Sequence, residues 1–254
     1  MKVLFPFLFL IPCFVFAQQS INGAHGTLII AATCRDGIVI AVDSRLSLSK
    51  NNETIGIVDS VNKLYDLKGF AVCFEGNGLL DSNYFLSSTF RDYNTLHRRK
   101  ESFSRAVEGY IEYMKNNYPE QLKNTFADNY FIFAGYEKKQ PYIASWKPGQ
   151  TSTTFNGKDS VFECTDSTTR EYFGSYNPRL SCRELAIKAT NAMDKYVAAD
   201  KNFKAGKPFR IVMIKPNNTI VSLNNFKGQQ FYTTAAFEKA VNNGEVKVYM
   251  IKDR

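Results

Sequence analysis

An apolar run extends from Val3 to Phe16, between Lys2 and the small residue Ala17, and it is followed at once by polar Gln18 and Gln19. This is the pattern of a secretory signal peptide over residues 1–17, cut after Ala17; a retained anchor and a lipid-modified Cys13 are the alternatives. From Thr27 the text reads TLIIAATC, then the polar hinge Arg35-Asp36-Gly37, then IVIAVDSR. Two β-rich runs joined by a turn predict a hairpin, and strands apolar on nearly every residue predict a sheet covered on both faces. Lys63 to Leu67, a Lys68-Gly69 turn and Phe70 to Phe74 predict a second pair, which ends in the Gly-rich stretch Glu75-Gly76-Asn77-Gly78. Apolar residues then recur at helical spacing from Leu79 to Tyr93 and from Phe103 to Met114. Strands are predicted again at Tyr130–Tyr136, Pro141–Trp146 and around Val161-Phe162, followed by a capped helix from about Ser181 to Val197. Strands at Phe209–Ile214 and Val246–Ile251 close the chain.

The order is strands, two helices, strands, helix, strands, with no internal repeat or linker. It predicts a single α+β domain, a four-layer αββα sandwich of two mostly antiparallel sheets. Once the signal leaves, roughly 230 residues remain, enough for one large domain with a sizeable core. Composition changes this picture little. The formal charge of +8 becomes +7 without Lys2, and basic residues fall in short groups such as Arg98-Arg99-Lys100 and Lys138-Lys139 rather than in a stripe. Nucleic-acid binding is therefore not expected. Two histidines and no C-x-x-C pair argue against a zinc or haem site, so neither a metal nor a cofactor is expected. Cys34, Cys73, Cys164 and Cys182 survive signal removal, and export would permit disulfides in any of three pairings.

The candidate chemistry lies at Gly26-Thr27. A hydroxyl is a weak nucleophile without an adjacent base, and a Thr can use its own α-amine once proteolysis exposes it. That amine titrates at about 7.7–8.0, and a nearby Lys charge would lower it further. Gly-Thr before a strand must then be accompanied by a Lys held by a carboxylate. The segment from Gly26 through Asp43-Ser44-Arg45, followed by Val61-Asn62-Lys63-Leu64, supplies both.

This segment resembles the catalytic β subunits of the proteasome and the related bacterial two-component protease subunit, N-terminal-nucleophile (Ntn) hydrolases whose mature chains begin with Thr. The resemblance implies Thr27 as nucleophile, Lys63 as catalytic lysine and Asp43 as its partner. It also implies a backbone oxyanion donor at Gly76 and a pocket wall at Phe74 that favours a small or medium side chain. Gly174-Ser175 resembles a turn whose Ser assists the Thr amine, and Leu180 to Ala189 resembles the helix that follows. The family's next Asp falls on Asn202 in strict register, or on Asp200 after a two-residue shift; the Ser of its Ser-Gly-Gly turn is missing here.

The expectation is an exported threonine-type peptidase or amidase that sheds residues 18–26 by self-cleavage at Gly26-Thr27, leaving 27–254 as one Ntn-hydrolase domain acting on a peptide or amide substrate. Non-catalytic assembly or binding, and action on small acyl amides, are the other readings. The resemblance further implies a homo-oligomeric ring. Export removes nucleotide, so an ATP-driven unfoldase partner is not expected.

Overall fold

The computed structural model describes residues 23–50, 53–97, 101–150, 154–156, 161–201 and 204–251. The signal peptide expected over 1–17, residues 18–22 of the segment expected to be shed, and Asn202 lie outside them. In chain order the elements are β1 (Gly23–His25), β2 (Ile29–Cys34), β3 (Gly37–Val42), β4 (Leu46–Lys50), β5 (Glu53–Val58), β6 (Tyr65–Leu67) and β7 (Phe70–Glu75). Helices α1 (Ser87–Leu96), α2 (Phe103–Asn117) and α3 (Pro119–Lys123) follow, then β8 (Tyr130–Glu137), β9 (Gln140–Trp146), β10 (Thr154–Asn156) and β11 (Phe162–Cys164). The rest is α4 (Ser167–Phe173), α5 (Cys182–Ala199), β12 (Arg210–Ile214), β13 (Ile220–Ser222), α6 (Thr234–Asn242) and β14 (Val248–Met250).

The fold is mixed α+β. Its sheets run β11-β2-β3-β12-β13, β10-β9-β8-β7-β6 and β1-β4-β5-β14, and every pairing between these strands is antiparallel. The third sheet departs from the two expected. Its β4–β5 hairpin is half polar in sequence, and its edge strand β1 is formed by residues that precede Thr27.

Strand alternation distributes the apolar residues. Ile29, Ala31, Ile38, Ile40 and Val42 join Ala71, Cys73, Ile132 and Ala134 in one buried cluster, made of residues from the first two sheets. The opposite faces carry Ile30, Ala32, Val39 and Ala41 against Leu185, Ala189 and Met193 of α5, and Phe131 and Phe133 against Tyr110 and Met114 of α2. A fully buried side chain of this size contributes roughly 1.5–3 kcal/mol, so these clusters fix the register of the central strands.

Helix α5 starts where expected, since Ser181 accepts from the Glu184 amide and the Glu184 carboxylate accepts from the Ser181 amide. Helix α1 starts at Ser87 rather than Leu79, because the Asp81 carboxylate accepts from the amides of Asn83 and Tyr84 and holds a turn there. A disulfide joins Cys34 to Cys182, while Cys73 and Cys164 are free and buried. Among the described residues no helix is long and apolar enough to cross a membrane.

Candidate active site

The β2–β3 hairpin places two of the candidate residues together. Its register sets Ile29 opposite Val42, so Leu28 faces Asp43 one step further out. The Asp43 amide donates to the Leu28 carbonyl at 3.1 Å, and the Leu28 amide donates to Asp43 Oδ1 at 2.8 Å. Thr27 therefore begins at the carboxylate because of strand pairing alone. Asp43 Oδ2 accepts from the Arg45 amide at 2.9 Å and the Gly206 amide at 3.1 Å.

Lys63, 4% exposed, reaches Asp43 Oδ1 at 3.1 Å. Its ammonium also donates to the carbonyls of Gly26 and Arg45, so each of its three protons has an acceptor. Burial drives the Lys63 pKa down, against the attraction of Asp43. Burial likewise raises that of Asp43, against Lys63 and the backbone donors. All four groups on Asp43 are N–H donors, the arrangement that suits an ionised carboxylate.

Thr27 Oγ1 donates to the Gly26 carbonyl oxygen at 2.6 Å, so hydroxyl and ammonium meet at the same atom. Gly26 has φ +96°, and a Cβ there would lie 2.2 Å from the Lys204 carbonyl oxygen, so the position excludes a side chain on two counts. The preceding residues are docked as a strand, with His25 opposite Ser47 and Gly23 opposite Ser49 on β4. Ala24 is clasped from the other side: its amide donates to Asn77 Oδ1 at 3.3 Å, and its carbonyl accepts from the Gly78 amide at 2.7 Å.

Thr27, Lys63, Phe74 and Gly76 all border one cavity of about 30 Å³, room for about a water molecule. Leu46, Val61, Tyr65, Phe85 and Phe231 make its other walls apolar. Gly76 has φ +114°, and a Cβ would stand 2.2 Å from Asn129 Oδ1. That Asn129 amide group is bonded to the Asn77 backbone in both directions at 2.8 Å, fixing the turn.

Ser175 is not brought to this cluster. Its carbonyl accepts from Lys188 Nζ, and its neighbour Tyr176 bonds Thr33 at the far end of β2. Thr33 lies six positions beyond Thr27 along extended chain, about 20 Å at ~3.3 Å per residue. The cause is α4, a seven-residue helix whose periodicity is too short to read, lying between that turn and the true approach to the site. The residue that sits opposite the start of β2 is Thr165, just before α4: its Oγ1 accepts from the Ile29 amide and its amide donates to the Ile29 carbonyl, both at 3.1 Å.

Asp200 stands one step away from the cluster. It caps α5 and accepts from the Ala205 amide at 3.1 Å, one residue before the Gly206 amide that reaches Asp43. Arg45, whose role the resemblance does not mark, holds the same loop by donating to the Ala205 carbonyl at 3.4 Å while paired through two nitrogens with Asp59. The Asp-Ser-Arg run was the available signal. Among the described residues the His/Cys/Asp/Glu group close enough to hold a metal is Cys34, Asp36 and Cys182, whose sulfurs are joined to each other.

The fold has a likeness among solved structures. A solved structure titled Anbu (Gly-1) mutant, from Hyphomicrobium sp. strain MC1, is similar with a TM-score of 0.58 and 15% identity, covering 87% of this chain and 96% of that one. No family model matches the chain, and no curated protein matches it. The resemblance to proteasome β subunits and the bacterial two-component protease subunit is thereby corrected: the likeness found is to Anbu, of the broader proteasome-like Ntn family, and at 15% identity it extends to the fold alone.

Proposed function

We propose that the protein is an exported threonine-type Ntn hydrolase that cleaves amide bonds, in peptides by preference, after cutting itself between Gly26 and Thr27. The observation that carries this reading is the convergence of the Thr27 hydroxyl and the Lys63 ammonium on the Gly26 carbonyl oxygen. In self-cleavage Thr27 Oγ bonds to the Gly26 carbonyl carbon and the carbon–nitrogen bond breaks. The hydroxyl proton passes to the departing nitrogen, which becomes the Thr27 amine. The Lys63 ammonium, kept charged by Asp43, stabilises the oxyanion in between. Water then cleaves the ester, leaving a Gly26 carboxylate and a free Thr27.

In turnover the Thr27 amine accepts the hydroxyl proton as Oγ attacks a substrate carbonyl, then delivers it to the leaving amine; water releases the acyl group. The backbone amide of Gly76 is assigned to the oxyanion. Ala24 and Gly26 line the small cavity bounded by Phe74, so the loss of residues 18–26 enlarges it to take a small or medium side chain. The three buried clusters support a four-layer αββα arrangement for residues 27–254. Removal of residues 1–17 on export precedes the second cut. The Anbu likeness favours a homo-oligomeric ring, and export away from nucleotide argues separately against an ATP-driven unfoldase. Production of the exported form and its Thr27→Ala variant tests the reading: the variant should retain residues 18–26 by intact mass and the wild type should lose them. A folded wild type that keeps them, under conditions where Thr27→Ala is indistinguishable from it, removes the reading.

A further inference from the structure

We propose that a basic cavity beside the cut, bordered by Lys201 and Lys204, selects substrates with an acidic side chain at the second residue before the bond cleaved. This rests on Thr27 being the nucleophile.

The residues ahead of Thr27 mark the path of an acyl chain. In self-cleavage the Gly26 carbonyl is the one attacked, so Gly26, His25 and Ala24 occupy the first, second and third places before the cut. A substrate whose carbonyl is to meet the same hydroxyl must enter along the same path. That path is a strand: Gly23, Ala24 and His25 pair with Ser49, Leu48 and Ser47 of β4. Alternation along it sends neighbouring side chains to opposite faces of the sheet. Ala24 turns into an apolar cluster with Leu46, Leu48, Phe85 and Phe231 and is 1% exposed. His25 turns the other way, onto the polar face of β4 and β5, where Ser49 stands opposite Thr54.

This second face opens into a cavity of about 440 Å³ bordered by His25, Gly26, Ser47, Thr54, Lys201 and Lys204. Its charges are of one sign. Among the described residues its walls hold two ammonium groups and no carboxylate, and neither lysine is ion-paired. The loop that carries them is closed at its base, because Asp200 at the end of α5 accepts from the Ala205 amide at 3.1 Å. Lys204 lies at the cut itself: a Cβ on Gly26 would stand 2.2 Å from its carbonyl oxygen. The self segment answers neither charge, since burial lowers the His25 pKa and leaves its imidazole neutral at pH 7. A carboxylate in the same place would attract both ammonium groups and could accept from a Ser47 or Thr54 hydroxyl, whereas a basic side chain would meet like charge. Both lysines are exposed, so the preference should be modest and sensitive to salt.

The test uses the matured, exported chain and three probes, acetyl-Ala-Xaa-Gly epoxyketones with Glu, Gln or Lys as Xaa, whose rate of addition to Thr27 is followed by intact mass. Ala and Gly reproduce the places of Ala24 and Gly26. At low salt wild type should react about 3–10-fold faster with the Glu probe than with the Gln probe, and slowest with the Lys probe. The Glu-to-Gln ratio should fall toward one in high salt and in Lys201→Gln/Lys204→Gln. A wild-type ratio near one, a ratio that the double variant keeps, or a mature Thr27 that takes none of the probes overturns the proposal. A second measurement needs no catalysis. In the uncut Thr27→Ala chain, His25→Glu should melt about 1–3 °C above His25→Gln at low salt, and the difference should vanish once both lysines are replaced. Equal melting temperatures overturn the acidic preference of the cavity even where wild type is uncleaved. A wild type that stays uncleaved and unlabelled while the melting difference is present removes the nucleophile, and the substrate preference with it, and so separates failure of the function from failure of the cavity.

Discussion

Replacing Asp43 by Asn removes the carboxylate that the Lys63 ammonium touches, and the consequences follow from four contacts. Asp43 Oδ1 serves Leu28 and Lys63, and Oδ2 serves Arg45 and Gly206, all through N–H donors at 2.8–3.1 Å. An Asn side chain turns an NH₂ toward one of these pairs and leaves buried donors without an acceptor, at about 1–3 kcal/mol each. Lys63 is nearly fully buried, and removing one partner of a buried ion pair costs about 3–5 kcal/mol. Burial already pulls the lysine toward neutrality, so loss of Asp43 carries it further in that direction. A neutral amine stabilises an oxyanion at Gly26 far less well; the loss should be of the order of one oxyanion donor, about 10²–10³ in rate. The ion-pair figure already contains the unpaired Lys63 donor, so the two costs overlap, and against a stability of roughly 5–15 kcal/mol the chain should be weakened but folded, and uncut. Intact mass followed over time, beside a urea melt, measures both. Asp43→Asn cleaving within threefold of wild type would refute the reasoning, because Lys63 would then not need its partner.

Other outcomes follow from the same geometry. Ser175→Ala should leave the cleavage rate unchanged, whereas Asp200→Ala should slow it about tenfold by loosening the Ala205–Gly206 loop that reaches Asp43; equal effects in the mass assay would contradict the placement of both. Gly76→Ala forces a side chain into a left-handed backbone and against Asn129 Oδ1, and should lower stability by about 1–3 kcal/mol in urea melts while impairing turnover. Loss of the Cys34–Cys182 disulfide, which spans 148 residues, should cost about 2–5 kcal/mol, so dithiothreitol should lower the melting temperature of wild type and not that of a Cys34→Ser/Cys182→Ser variant. The folded Glu75 pKa lies above its ordinary value of 4.5, so its protonated form contributes stability that is complete below that value and lost as pH rises through about 7. Wild type should therefore lose more melting temperature between pH 5 and 8 than Glu75→Gln; parallel curves would show that Glu75 ionises normally.

Much of the central architecture was legible because local and tertiary preferences agree there. The doubly apolar hairpin from Ile29 to Val42 could only be a covered pair, and its pairing puts Thr27 beside Asp43 without any long-range information. The Ser181 and Glu184 capping box marked the start of α5 equally plainly. What sequence did not reveal depends on contacts between distant residues. The Gly206 amide on Asp43 joins positions 163 apart, and Asn129 fixes the Gly76 turn from 52 residues away. Helix α4 is short, with an apolar face too brief to show a period, so the Gly174-Ser175 turn resembled a catalytic one when Thr165 occupies the ground beside β2. Strand β1 has no pattern of its own; it exists by pairing with β4 and by the clasp of Asn77 and Gly78 on Ala24.

The central claim is that Thr27 becomes an amino terminus by an act of the protein itself. Intact mass of the purified, exported wild-type chain, repeated after incubation at neutral pH, tests it most directly. The expected result is a single mature species beginning at Thr27, with Lys63→Ala arrested at the longer form. A folded wild-type chain that still carries Gly26, or a Lys63→Ala chain that matures at the wild-type rate, would contradict it.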